Sequence, residues 1–191
     1  MHLSAHRQRS AHVVPASELG TQLSPDLRPA FLGAMRLVPG AIAIIATAYE
    51  GVRGGLAATA WSSLSADPPT MLACVNRNAS AHDLIGRAGA FSINLLDASH
   101  TETVAIFSAQ RGLSGADRFL SDEWEQGALG QPLFREAVAA FECRLEDLHD
   151  TGSHSLLIGQ VSELRTRPDG RPLLYRDGAY AYVVAHEGVG A

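Results

Sequence analysis

The longest apolar run of the chain, Ala41-Ile-Ala-Ile-Ile-Ala-Thr-Ala48, has the length of a strand. It is far short of the roughly 20 residues that a membrane-spanning helix needs. Similar segments recur along the sequence. Ala41 to Tyr49 and Gly55 to Ser65 flank the turn Glu50-Gly51-Val52-Arg53-Gly54 and predict a hairpin. Thr70 to Asn76 follows the break at Asp67-Pro68-Pro69, and Ala90 to Leu95 adds a fourth strand. In Ala137 to Leu148, Phe141, Cys143 and Leu145 alternate with Glu142, Arg144 and Glu146, which predicts a half-exposed strand. Ser155 to Arg165 follows Gly152, and Leu173 to Tyr175 and Tyr180 to Val184 flank the hairpin turn Arg176-Asp177-Gly178.

Helical signals are few. Leu27, Ala30, Phe31, Ala34, Met35 and Val38 repeat at helical spacing behind Asp26 as N-cap, and Pro39-Gly40 ends that helix. Short helices are expected over Ala79 to Arg87 and Ser99 to Gln110. Arg111 to Gly130 is Gly-rich and polar and is expected to form a long loop, a feature uncommon unless functional; it is a candidate cover for a site. About seven strands without a βαβ rhythm predict a mainly β fold, an antiparallel barrel with peripheral α-helices.

Composition narrows the function. A 191-residue chain that is 46% hydrophobic suits one domain with one core. Residues 1–25 read as a mobile arm and 26–186 as the domain. A formal charge of −5 argues against nucleic-acid partners. No apolar signal segment opens the chain, so a cytoplasmic location away from membranes is expected. All 15 basic residues are Arg, which removes the phosphate loop that needs Lys and every Schiff-base mechanism. The GxGxxG, HExxH and GxSxG patterns are missing as well. Cys74 and Cys143 read as reduced core thiols, and no metal site is expected.

Three segments could carry chemistry. Gly55 to Asp67 places Thr59, Ser62, Ser63 and Ser65 among alanines; such a wall admits a flat polar heterocycle, or is simply a Ser/Ala-rich edge strand. Cys74-Val-Asn-Arg-Asn-Ala-Ser80 joins a strand end to a helix start, where Asn76, Arg77 and Ser80 offer donors to an anion. An ordinary capped helix with a surface Arg would read the same way. His154, between Gly152 and an apolar strand, faces a cleft or is an ordinary strand His.

Taken in order, four blocks resemble the flavin reductase family with an FMN-binding split barrel, the small reductase components of two-component flavin monooxygenases. They are Phe31 to Thr47, Gly55 to Asn76, Phe91-Ser-Ile-Asn-Leu-Leu96, and Gly152-x-His154 to Gly159. The resemblance implies a Greek-key split barrel that is homodimeric, and hydride transfer from NADH or NADPH to N5 of FMN or FAD, with reduced flavin passing to a separate oxygenase. It places Thr59, Ala60, Ser62 and Ser63 along the isoalloxazine ring, with Pro39 near the ring's far side, where many relatives have Thr-Gly. Asn76, Arg77 and Ser80 fall near the flavin phosphate, His154 near the nicotinamide, and Tyr180 is an aromatic of the late hairpin. Rival readings are a reductase of ferric iron or a corrinoid on the same barrel, or a non-enzymatic flavin-binding sensor.

Overall fold

A computed structural model describes residues 27–184. The expected arm, residues 1–25, and the Asp26 cap lie outside them. The chain divides between Met35 and Arg36. Helix α1, Leu27–Leu37, agrees with the predicted helix, and none of its residues is buried.

The rest is built of strands: β1 Gly40–Ala41, β2 Ala43–Tyr49, β3 Val52–Ala58, β4 Trp61–Ala66, β5 Pro69–Asn76, β6 Ala90–Leu95, β7 Trp124–Gln126, β8 Pro132–Phe134, β9 Ala139–Thr151, β10 His154–Thr166, β11 Leu173–Arg176 and β12 Ala179–Tyr182. Twelve strands among the described residues replace the expected seven or so. Seven of them form one antiparallel sheet in the order β3-β2-β6-β9-β10-β5-β4. β1, β11 and β12 form a second sheet, and β7 pairs with β8.

The expected single strand Gly55 to Ser65 is two strands. β3 pairs with β2, β4 pairs with β5, and the ladder breaks at Thr59-Ala60. This correction fixes the architecture. β3 and β4 are the two edges of the sheet, and seven flat strands would hold their edges roughly 29 Å apart. Yet two residues join them, and three Cα–Cα steps reach about 11 Å at most. The sheet must therefore curl until its edges nearly meet, leaving a split where Thr59 and Ala60 cross. Ala60 has already reached the far side, because its carbonyl accepts from the Cys74 amide at 2.8 Å.

β2 explains the long apolar run. Ala43 and Ile45 join one buried cluster with Val75, Phe91, Cys143 and Leu157, whereas Ile44 and Ala46 join another with Phe107, Trp124 and Phe134. A strand buried on both faces reads as continuous apolar sequence rather than alternation. At Gly159 of β10, an added Cβ would lie 2.7 Å from Phe91, so β10 closes on that core only without a side chain there.

Three further expectations are corrected. The middle helices are shorter than expected, α2 at His82–Ala88 and α3 at Thr101–Phe107. Residues 111–130 are not an open loop: they form 3-10 turns at Gly115–Arg118 and Ser121–Glu123, followed by β7. Phe119 and Trp124 are buried against Phe107, with ring centroids 4.9–5.4 Å apart, and Arg118 donates to the Gly55 carbonyl at 3.0 Å. Glu142 is fully buried, not the outward member of an alternating strand. The segment leading to β8 folds over it, and its carboxylate accepts from the Leu129 and Gln131 amides at 2.8 and 2.9 Å.

Candidate active site

Three of the sequence-predicted residues line two cavities, Thr59 and Tyr180 the first and Arg77 the second. The first, about 250 Å³, is lined by Ile42, Ala57, Ala58, Thr59, Val104, Ser108, Gln110, Tyr175 and Tyr180. The break after β3 places Thr59 there, with Ala57 and Ala58 supplying a wall of small side chains. Gly40 closes in behind Thr59, and a Cβ on it would stand 2.7 Å from the Thr59 Cβ. Gly40 also pairs with Tyr175, so Pro39 adjoins the rim and is itself exposed. Tyr175 and Tyr180 oppose each other across the late hairpin, with ring centroids 6.2 Å apart. Gln110 and Ser108 had carried no signal in the sequence. They reach the cavity because α3 packs against β3 and ends beside it.

The second cavity, about 350 Å³, is polar and lined by Arg77, Asn78, His82, Asp83, Gly152 and Ser153. β5 and β10 run antiparallel with His154 opposite Asn76. The two-residue turn Gly152-Ser153 joins β9 to β10 with Gly152 at φ +61°, a conformation suited to Gly. That turn holds Arg77: the Arg77 amide donates to the Ser153 carbonyl at 3.0 Å, and its Nη1 donates to the Gly152 carbonyl at 3.2 Å. Its Nη2 lies 3.4 Å from Asp150 Oδ2. The Ser155 hydroxyl foremost, helped by Arg77, His82 and His149, holds the Asp150 carboxyl below the usual carboxylate range. Ser153 Oγ lies 2.9 Å from His154 Nδ1.

Ala60 lines neither cavity but lies between the segments that bear them. Its carbonyl meets Cys74, and Arg77 lies three residues on, roughly 10 Å along the strand. Thr59, Ala60, Asn76, Arg77, His154 and Tyr180 therefore occupy one end of the barrel. The others fit less well. Ser62 and Ser63 lie opposite Leu72 and Met71 on the exposed edge strand β4, leading away from both cavities. Ser80 is exposed in the turn before α2, whose cap is Ala81 and makes no side-chain hydrogen bond. The alternative reading, an ordinary helix capped near Ser80, does not hold either, because α2 begins two residues beyond Ser80. No residue of 111–130 lines either cavity, as Arg118 and the buried aromatics hold that segment on β3. His82 was missed in the sequence. A His directly before an Asp, at the start of an apolar helix, was its only trace.

Comparison with known proteins identifies the domain over most of the length. Residues 35–183 match the family model for the flavin reductase like domain. The chain is 36% identical over 151 residues to the FMN reductase (NADH) RutF 2 of Methylorubrum extorquens, covering 79% of this chain and 87% of that protein. It is 34% identical over 139 residues to the flavin-dependent monooxygenase reductase subunit HsaB of Rhodococcus jostii, covering 73% and 69%. The crystal structure of nitrilotriacetate monooxygenase component B from Mycobacterium thermoresistibile superimposes with a TM-score of 0.76 at 28% identity, covering 86% of this chain and 90% of that one. With its curled antiparallel sheet and the cavities at the split, the chain belongs to the flavin reductase like family.

Proposed function

We propose that this protein, a flavin reductase by family, takes hydride from a reduced nicotinamide nucleotide, delivers it to flavin N5, and releases reduced flavin to a separate monooxygenase component. The observation that carries this reading is the cavity at the split, walled by Ala57, Ala58 and Thr59, which lies one strand segment from the free guanidinium edge of Arg77. Its volume of about 250 Å³ lies just below the range of small-molecule sites, roughly 300–1,000 Å³. Small side chains admit a flat ring, and Thr59, Gln110 and the two tyrosines offer polar atoms to its edge. Arg77 has five N–H donors and spends two on Gly152 and Asp150, which leaves donors for a phosphate. The donor set therefore fits a flavin nucleotide with its ring at Thr59 and Ala60 and its phosphate at Asn76 and Arg77.

The flavin and the nicotinamide supply the redox chemistry. The chain has to hold two rings at reacting distance and exclude other acceptors. Thr59 orients one ring edge, Tyr180 shields the cavity, and His154 positions the nicotinamide without abstracting a proton. The names of the RutF and HsaB relatives support NADH as donor, FMN as a flavin substrate and an oxygenase as recipient. We read the active form as a homodimer, because Tyr175, Tyr180, Tyr182, Val183 and Val184 remain 43–76% exposed.

Steady-state oxidation of NADH and NADPH, with and without FMN or FAD, tests the reading. Turnover is expected only with flavin, and His154→Ala is expected to raise KM for the nicotinamide more than KM for flavin. Flavin binding without nicotinamide oxidation would favour a sensor instead.

A further inference from the structure

A chain of polar side chains starts at two buried residues, His82 and Ser155, and ends at Arg77 on the rim of the polar cavity. His82 is nine-tenths buried at the start of α2, and its Nε2 lies 2.7 Å from Ser155 Oγ. Ser155 is fully buried on β10 and donates to Asp150 Oδ1 at 2.6 Å across the β9–β10 ladder. Asp150 Oδ2 faces Arg77 Nη2. The neighbours of this chain, Val75, Ile85 and Leu157, are fully buried and apolar. Aliphatic side chains could fill the same space without desolvating a hydroxyl and an imidazole.

The proton inventory fixes its direction. Asp150 is an acceptor, so the single Ser155 proton points at it. Ser155 Oγ must then accept, and His82 Nε2 must carry its N–H. His82 thereby sets the Ser155 rotor, Ser155 sets the Asp150 rotamer, and Asp150 with the Gly152 carbonyl sets the plane of the Arg77 guanidinium. Asp83 Oδ1, 2.9 Å from His82 Nδ1, is an acceptor too, so the ring satisfies both neighbours only with an N–H on each nitrogen; Asp83 itself is almost wholly exposed.

We propose that the His82–Ser155–Asp150 relay positions Arg77 for the phosphate of the flavin nucleotide, making His82 and Ser155 determinants of preference for phosphorylated flavin over riboflavin. The proposal rests on the reading of the protein as a flavin reductase. Riboflavin carries the same ring without the phosphate, so it separates positioning of Arg77 from general damage to the barrel.

The test compares KM and kcat for FMN and riboflavin as acceptors at saturating NADH. Wild type is expected to prefer FMN. Ser155→Ala and His82→Phe are expected to raise KM for FMN about tenfold, the scale of one charge-assisted hydrogen bond, with KM for riboflavin and kcat unmoved. His82→Gln keeps an N–H donor and is expected to retain most of the preference. Asp150→Ala breaks the same link from a half-exposed site, so it reports even where the buried variants do not fold. Combined with Arg77→Ala, it is expected to add no further loss for FMN. The proposal is overturned if wild type treats the two flavins alike, if both KM values rise together in the variants, or if the losses from Asp150→Ala and Arg77→Ala add. Wild type that turns over neither flavin would instead overturn the reductase reading.

Discussion

The indole N–H of Trp61 donates to the Ala41 carbonyl over 2.9 Å. Trp61 opens β4, one edge of the curled sheet, and Ala41 leads into β2, which neighbours the other edge. One side-chain hydrogen bond therefore clasps the split beside the residues that line the first cavity. Trp61→Phe keeps an aromatic ring against Phe141 but removes the donor. It is expected to lower stability by about 1 kcal/mol and to weaken flavin binding. Thermal unfolding and a flavin titration check the two effects, and flavin affinity unchanged from wild type would separate the clasp from the site.

Gly40→Ala tests the wall from behind. The new methyl would meet the Thr59 Cβ, a branched atom fixed to its backbone, at 2.7 Å. Thr59 must move into the cavity or the β1 strand must move away. A rise in flavin Kd of about tenfold is expected, with overpacking costing roughly 1–3 kcal/mol of stability. Fluorescence titration of flavin measures the first and chemical denaturation the second.

Asp97 contributes to the loss of stability expected in acid. Burial acts to raise its carboxyl pKa, but hydrogen bonds from the Ser99 amide and hydroxyl and from the Arg171 amide, with Arg167 nearby, hold it well below the usual range. A carboxyl depressed in the folded state stabilises above its unfolded pKa of about 3.9. That contribution is lost as pH falls below about 4 towards the folded value. Asp97→Asn is expected to cost about 2 kcal/mol at neutral pH and to flatten the decline in acid. Denaturant midpoints from neutral pH down to about 3 check the sign, and parallel curves for the two proteins would contradict it.

Glu142→Gln probes the fold of residues 127–131. The carboxylate accepts from two backbone amides, and the Gln131 it anchors accepts in turn from the Thr47 hydroxyl and the Ala48 amide. An amide side chain must present its NH2 to one of those donors. A loss of about 1.5–3 kcal/mol is expected, the range for hydrogen bonds to a charged group. Hydrogen exchange is expected to rise at Leu129 and Gln131 while the β5–β10 ladder stays protected.

Much of the fold was legible because its signals are local. The β2–β3 hairpin was expected with a turn over residues 50–54 and instead turns at Glu50-Gly51, with Val52 already paired to Tyr49; the Arg176-Asp177-Gly178 hairpin and the end of α1 before Pro39-Gly40 follow from neighbouring residues. The break at Thr59-Ala60 was not legible, since the sequence stays strand-like across it and only pairing with two different partners divides it. Glu142 misled for a related reason: alternation marks it as outward, and a segment eleven residues away buries it. Thr59, Asn76, Arg77 and His154 were singled out through block resemblance and their residue types, and the fold brings them to one end of the sheet. Gln110, His82 and Asp150 were not, because their places beside the cavities come from tertiary neighbours that no spacing encodes.

The most direct test of the central claim is anaerobic mixing of the protein with oxidised FMN and NADH, following flavin bleaching and nicotinamide oxidation together. The account expects both signals to advance in a one-to-one ratio and to depend on the protein, with His154→Ala slowing them only below saturating NADH. Nicotinamide oxidation that leaves the flavin oxidised, or bound flavin that NADH does not bleach, would contradict it.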